Sequence, residues 1–279
     1  MITKLPPELR FYTIDFLRND KSALSACSLS CSALAAVCKP LLFHTLRTHP
    51  HSEETDRFER LLESDPSILP LVKRIEMKIS ASEPGEDLTI RAISRIMTHS
   101  DQAQYTAPVL KVTLRGRFPP PPPNRLTKSI LPRLSPVADW VTSLDLDKLY
   151  FGEETYLWNI VLAFRVLKSL VLGRVKVWYE GVRAPFHPES KISHLSLKES
   201  SLGPGSPIYR FLVDHPITLP SLTSLDMRFP VEFNQPSLPL PSTRFGEHYG
   251  PRVRTLRFGV LIPHYESIRR LDEVLDSMF

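Results

Sequence analysis

Val141–Leu146 reads VTSLDL and Leu167–Leu172 reads LKSLVL. The same unit, an aliphatic residue, two others, an aliphatic, one other and a final large apolar residue, recurs on both sides of this pair. VKRIEM occupies Val72–Met77 and VLKVTL occupies Val109–Leu114. ISHLSL follows at Ile192–Leu197, LTSLDM at Leu222–Met227 and VRTLRF at Val253–Phe258. The central aliphatic residues are Ile75, Val112, Leu144, Leu170, Leu195, Leu225 and Leu256, at steps of 37, 32, 26, 25, 30 and 31 residues. The spacing is irregular, but a repeated unit in constant form is the mark of a repeat architecture.

Side chains alternate between the two faces of a strand. Each unit therefore reads as a short strand with its apolar residues turned inward. Several of the intervening stretches have helical patterning. Asp87–His99 carries Ile93, Ile96 and Met97 on one face, Glu153–Phe164 carries Leu157, Ile160, Val161 and Phe164, and Ser206–Val213 is a shorter candidate. Strand, helical connection and strand at a repeating spacing imply parallel strands, because an antiparallel hairpin needs only a tight turn. The pattern resembles the leucine-rich repeat family in a degenerate form, without the Asn or Cys that usually follows the strand. The expected fold class is α/β: a short N-terminal all-helical module followed by an irregular leucine-rich-repeat solenoid with a curved parallel sheet. Glu53–Glu63, with Phe58, Leu61 and Leu62, is expected to cap its first edge, and Tyr265–Phe279 its last. The expected division is 1–46 for the helical module, 47–66 for a linker and capping helix, and 67–279 for the solenoid.

The N-terminal module, LPPELRFYTIDFLRNDKSALSACSLSCSALAAVCKPLLF from Leu5 to Phe43, carries apolar residues at helical spacing. Pro6 and Pro7 suit a helix start. Glu8 complements the positive helix end. Asn19-Asp20 marks a turn and a possible cap. About 40 residues make a poor independent core, so apolar surface is expected to be shared. This stretch resembles an F-box, the module that docks a protein onto a Skp-type adaptor of a cullin ubiquitin ligase. Leu5, Pro6, Glu8 and Leu9 match the Leu-Pro-x-Glu opening. Ile14, Phe16 and Leu17 match its aliphatic and Phe-Leu positions, and Cys27, Ser28, Leu29, Cys31 and Phe43 its last helix. Leu34 stands where the family usually has Trp, and Ser32 where it has a basic residue. The resemblance implies adaptor binding through Leu5, Pro6, Glu8, Leu9, Ile14, Leu17 and Leu29. It also implies that the repeat domain recruits a protein target for ubiquitylation. The alternative is a repeat scaffold with no ligase linkage, its N-terminal helices serving as a cap.

Composition fits a globular chain of 279 residues, 42% hydrophobic and 23% charged. Proline is abundant at 27 and glycine sparse at 10. The N-terminus has no signal-peptide pattern and no run is long enough for a membrane span. The three cysteines, Cys27, Cys31 and Cys38, are odd in number and clustered, which favours thiols over disulfides. The expectation is a cytoplasmic or nuclear protein with no membrane partner. The net charge of +5 is scattered, with no basic run of the kind that marks nucleic-acid binding, so no nucleic-acid partner is expected. No dinucleotide or phosphate-binding glycine motif, nucleophile elbow or zinc-ligand spacing is present. Gly203-Pro204-Gly205 reads as a turn and His49-Pro50-His51 as a linker. No catalytic, cofactor or metal site is expected. Phe118–Arg125, FPPPPPNR, reads as a polyproline II spacer, and Pro230–Pro241 as an extended loop.

Residues alternating with the inward markers should form the target-binding face. The charged candidates are Arg74, Glu76 and Lys78, then Lys111 and Arg115, then Asp145 and Asp147. Lys198, Asp226, Arg228 and Arg257 follow on later units. Seven basic against four acidic residues give +3 (7 − 4), and Ser169, Val171 and Gly173 leave the fourth unit blank. Such a face suits a protein partner of mixed charge.

Overall fold

A computed structural model describes residues 6–48, 57, 60–61, 63–80, 88–102, 108–116, 130–179, 190–198, 219–230 and 251–261. The expected helix at Ser206–Val213, the polyproline run 119–123 and the C-terminal cap at Tyr265–Phe279 lie outside these residues. So do most of Glu53–Glu63 and nearly all of Pro230–Pro241. The chain divides into two compact units, Met1–Lys78 with Asp87–Leu110, and Ile79–Glu86 with Lys111–Phe279. No helix among the described residues is long and apolar enough to cross a membrane.

The protein is a mixed α/β structure with a large parallel sheet. Its strands are β1 (Thr45–Thr48), β2 (Arg74–Ser80), β3 (Val109–Arg115), β4 (Val141–Asp147) and β6 (Ser169–Gly173), followed by β8 (His194–Lys198), β9 (Ser224–Pro230) and β10 (Thr255–Leu261). They lie side by side in chain order, β1-β2-β3-β4-β6-β8-β9-β10, while β5 (Tyr150–Glu153) and β7 (Lys176–Tyr179) pair in a second, parallel two-stranded sheet. All seven sequence repeats are strands of the large sheet.

The register follows from the repeat. Leu144 pairs with Leu170, Leu170 with Leu195, Leu195 with Leu225 and Leu225 with Leu256. A one-residue slip would turn every apolar side chain to the opposite face, so the shared pattern fixes the alignment. Ile75, Val112, Leu144, Leu170, Leu195 and Leu225 are all buried, as are Leu114, Leu146, Leu172 and Leu197. Each such side chain contributes roughly 1.5–3 kcal/mol through apolar burial. Leu256, on β10, the last strand of the sheet among the described residues, is 39% exposed.

Hydrogen bonds just before the strands repeat at the same phase. The Lys168 N–H donates to Thr142 O at 2.8 Å, Ser193 N–H to Lys168 O at 2.9 Å, Thr223 N–H to Ser193 O at 2.9 Å and Arg254 N–H to Thr223 O at 2.8 Å. The strand ends are stapled likewise: Gly116 N–H to Asp147 O (3.0 Å), Lys148 N–H to Gly173 O (2.9 Å) and Arg174 N–H to Lys198 O (3.2 Å). These bonds satisfy backbone groups that a parallel ladder leaves open at its ends. At Lys148 and Arg174 the backbone turns with φ of 55° and 52°, an uncommon conformation for residues with a side chain. The turn carries Leu149 and Val175 into the core and leads into β5 and β7. Sequence reading missed β1, β5 and β7, each only four residues long. Only β1 lies on the main sheet, where it is the first strand among the described residues.

In the first unit, helices α1 (Pro7–Asp15), α2 (Lys21–Ser30) and α3 (Ser32–Phe43) form a small core of Ile14, Leu24, Leu34 and Cys38. Leu17, Cys27, Cys31, Val37, Leu41 and Leu42 pack against it. The Asp20 carboxylate accepts the Ala23 N–H at 2.9 Å and caps α2, as the Asn-Asp turn implied. Cys31, extended at φ −164°, breaks α2 from α3. Helix α4 (Leu88–Gln102) buries Ile90, Ile93, Ile96 and Met97 along one face. In the second unit, α5 (Glu154–Leu162) directly follows β5 and buries Leu157, Trp158, Ile160 and Val161.

Candidate functional site

Two surfaces carry the residues singled out in the sequence. The first lies on the N-terminal helices. Leu9, Tyr12 and Phe16 recur at steps of three and four, which places them along one stripe of α1 and its C-cap. They are 50%, 70% and 89% exposed. Phe11 and Leu29 are also exposed. Among the described residues these are five of the seven exposed large hydrophobic side chains, the others being Val109 and Leu256. Five of these side chains therefore sit on the N-terminal helices.

The other residues proposed for adaptor contact are placed differently. Ile14 is 2% exposed and belongs to the module's own core, which removes it from any docking face. Leu17 packs partly against the same core. Pro6 and Glu8 are exposed at the start of α1, and Leu5 lies outside the described residues. Leu34 is buried in the core. The Cys38 thiol is held above its ordinary pKa, chiefly by burial and further by the nearby Cys27 and Cys31 thiols. A buried, protonated thiol is a packing group rather than a nucleophile.

The second surface is the outward row of the large sheet. In the first unit, Glu76 on β2 is bracketed by Arg74, at 2.9 Å, and by Arg47 on β1, at 3.1 Å. Lys78 is exposed at the end of that row. In the second unit, Lys111 on β3 sits 3.6 Å from Asp145 on β4. Arg115, the last residue of β3, reaches Asp147 with Nε at 3.5 Å. Asp147 is also clamped by Arg174, whose Nε donates to Oδ1 at 2.9 Å and whose Nη2 lies 2.8 Å from both carboxylate oxygens. The Asp145/Asp147 pair is therefore not an open acidic patch. Both carboxylates are ion-paired and only 20% exposed.

Further along the sheet, His194 Nδ1 and Ser224 Oγ are 2.9 Å apart, and Ser196 Oγ donates to Asp226 at 3.3 Å. The register places Lys198 beside Arg228 and Asp226 beside Arg257. Sequence reading identified the row but missed Arg174, which lies one residue beyond its strand. The Arg-after-Gly step at the β6 end was the available signal, since an arginine there can reach back across a glycine. Gly173 provides the space: a Cβ there would stand 3.3 Å from Asp147 Oδ1.

Among the described residues no group of three or more His, Cys, Asp or Glu side chains is placed to hold a metal ion. No protein-family model matches the chain, and no curated protein matches it either.

Proposed function

We propose that this chain is a non-catalytic interaction protein of the F-box type: its N-terminal helices dock on a Skp-type adaptor of a cullin ubiquitin ligase, and a leucine-rich-repeat-like sheet recruits a protein target. The observation that carries the first half is the stripe of exposed Leu9, Tyr12 and Phe16, with Phe11 and Leu29, directly after the Leu-Pro-x-Glu opening. Full burial of a large apolar side chain is worth roughly 1.5–3 kcal/mol, so a partner that covers these gains part of that free energy at half-exposed Leu9 and Phe11 and most of it at Phe16 and Leu29. The second half rests on the recurrent strand unit with its charged, outward-facing row. That row has the polar, Arg-containing character of a surface read by proteins.

Co-purification with a Skp-type adaptor tests the reading. Leu9→Ala combined with Leu29→Ala removes two exposed anchors without touching the helical core. Truncating a central interface residue costs about 2 kcal/mol or more, so the double variant should lose the adaptor while keeping its thermal midpoint. If the wild-type chain fails to retain the adaptor, the ligase linkage is wrong and a repeat scaffold without it becomes the better reading.

A further inference from the structure

The charges of the second unit's outward row are not equally presented. Asp147 is recessed at 20% side-chain exposure, yet two guanidinium groups converge on it. Arg174 is spent on it in a bidentate bond. Arg115 approaches only at 3.5 Å, a weak contact for a hydrogen bond, and its side chain is 62% exposed. One recessed carboxylate thus faces two guanidinium groups. The arrangement costs something to build. Arg174 sits at φ 52°, and a left-handed conformation for such a residue costs on the order of 1 kcal/mol. Gly173 leaves the carboxylate room, since a Cβ there would stand 3.3 Å from Asp147 Oδ1.

We infer that Arg115, braced beside the Asp147–Arg174 pair, forms a receptor point for a carboxylate of an acidic peptide segment in the recruited protein. The Arg fork matches a carboxylate in two parallel hydrogen bonds. The recessed Asp147 pre-orients the cation without cancelling it, which lowers the ordering cost of binding. Two cations over one carboxylate favour an acidic partner and disfavour a basic one. The inference rests on the proposed use of the sheet as the target-binding face, and its test is independent of adaptor binding.

The test measures fluorescence anisotropy of a labelled hexaglutamate peptide, with hexalysine as control, on the full chain at low salt. Hexaglutamate should bind and weaken as salt rises, while hexalysine should not bind. Arg115→Gln leaves Asp147 with its bidentate partner, so the fold should hold while affinity falls roughly tenfold, as for loss of one charge-assisted contact. Arg115→Lys should restore part of the binding, since it keeps the charge but not the fork. Absence of hexaglutamate binding, or equal binding by wild type and Arg115→Gln at an unchanged thermal midpoint, overturns the inference. So does a short single-stranded oligonucleotide that binds more tightly and loses binding in the same variant. Adaptor co-purification, measured on the same variants, should be unaffected.

Discussion

Leu144 on β4 and Leu170 on β6 stand directly opposite one another in a parallel register, and both are almost wholly buried. They occupy the same position in two copies of the sequence unit, 26 residues apart. The register of the sheet is therefore the alignment of the repeats, realised in space.

Truncation of either leucine should be costly. Leu144→Ala and Leu170→Ala should each destabilise by about 2–5 kcal/mol, the range for cavity-forming changes in a close-packed core. Because the two touch across the sheet, the double variant should depart from additivity. Denaturant unfolding of the two single variants and the double variant measures this. Losses below about 1 kcal/mol would show that the pair is not in the core.

Gly116→Ala and Gly173→Ala should differ sharply. A Cβ at Gly116 would come within 1.9 Å of the Lys148 carbonyl oxygen, a backbone atom fixed by the strand-end ladder. That change should cost roughly 2 kcal/mol or more, as a steric clash that only backbone movement relieves. At Gly173 the nearest atom is a side-chain oxygen of Asp147 at 3.3 Å, which can shift. Thermal unfolding should show a small loss there and a large one at Gly116.

The three thiols should react at different rates. Cys38 is buried and its pKa raised, whereas Cys27 and Cys31 are partly exposed. Iodoacetamide at mildly alkaline pH should label Cys27 and Cys31 well before Cys38, as read by mass spectrometry over time. The raised pKa also has a thermodynamic consequence. The buried thiol's contribution to stability is fully present below its unfolded-state pKa, about 8.5, and is lost as pH rises through the higher folded value. Cys38→Ser should diminish this alkaline loss of stability. Labelling of Cys38 at the rate of the other two would contradict its burial.

Asp65 caps the 3-10 turn Pro66–Leu71 through Ser67, and Lys39 lies 3.6 Å from its carboxylate. Its pKa is lowered, chiefly by the Ser67 hydroxyl hydrogen bond and also by Lys39. A depressed carboxylate pKa stabilises the fold above the unfolded value, about 3.9, and the benefit disappears as pH falls through the folded value. Asp65→Asn should flatten that acid limb in a stability-against-pH series. An unchanged acid limb would show that the cap contributes nothing to folding.

The repeat unit alone determined the strands, their parallel direction and their inward residues. A period-two pattern states which face is buried, and its recurrence states what each strand aligns with. The helices at Leu88–Gln102 and Glu154–Leu162 and the Asp20 cap were legible for the same local reason. β1, β5 and β7 were not, since four residues carry too little pattern to separate a strand from a loop. They form because a neighbouring strand offers open backbone groups at that point.

Two matters were decided by tertiary structure alone. Ile14 and Leu9 both read as apolar positions of α1, yet Ile14 fills the module's core while Leu9 stays exposed. Burial depends on what packs against a helix, which spacing along one helix does not record. The charged row likewise reads as separate positive and negative positions. Only the packing of β3 beside β4, with the left-handed turn at Arg174, brings Arg115 and Arg174 onto Asp147. Coulomb attraction depends on distance through space, and residues 32 and 27 positions away from Asp147 in the chain became its partners through the fold.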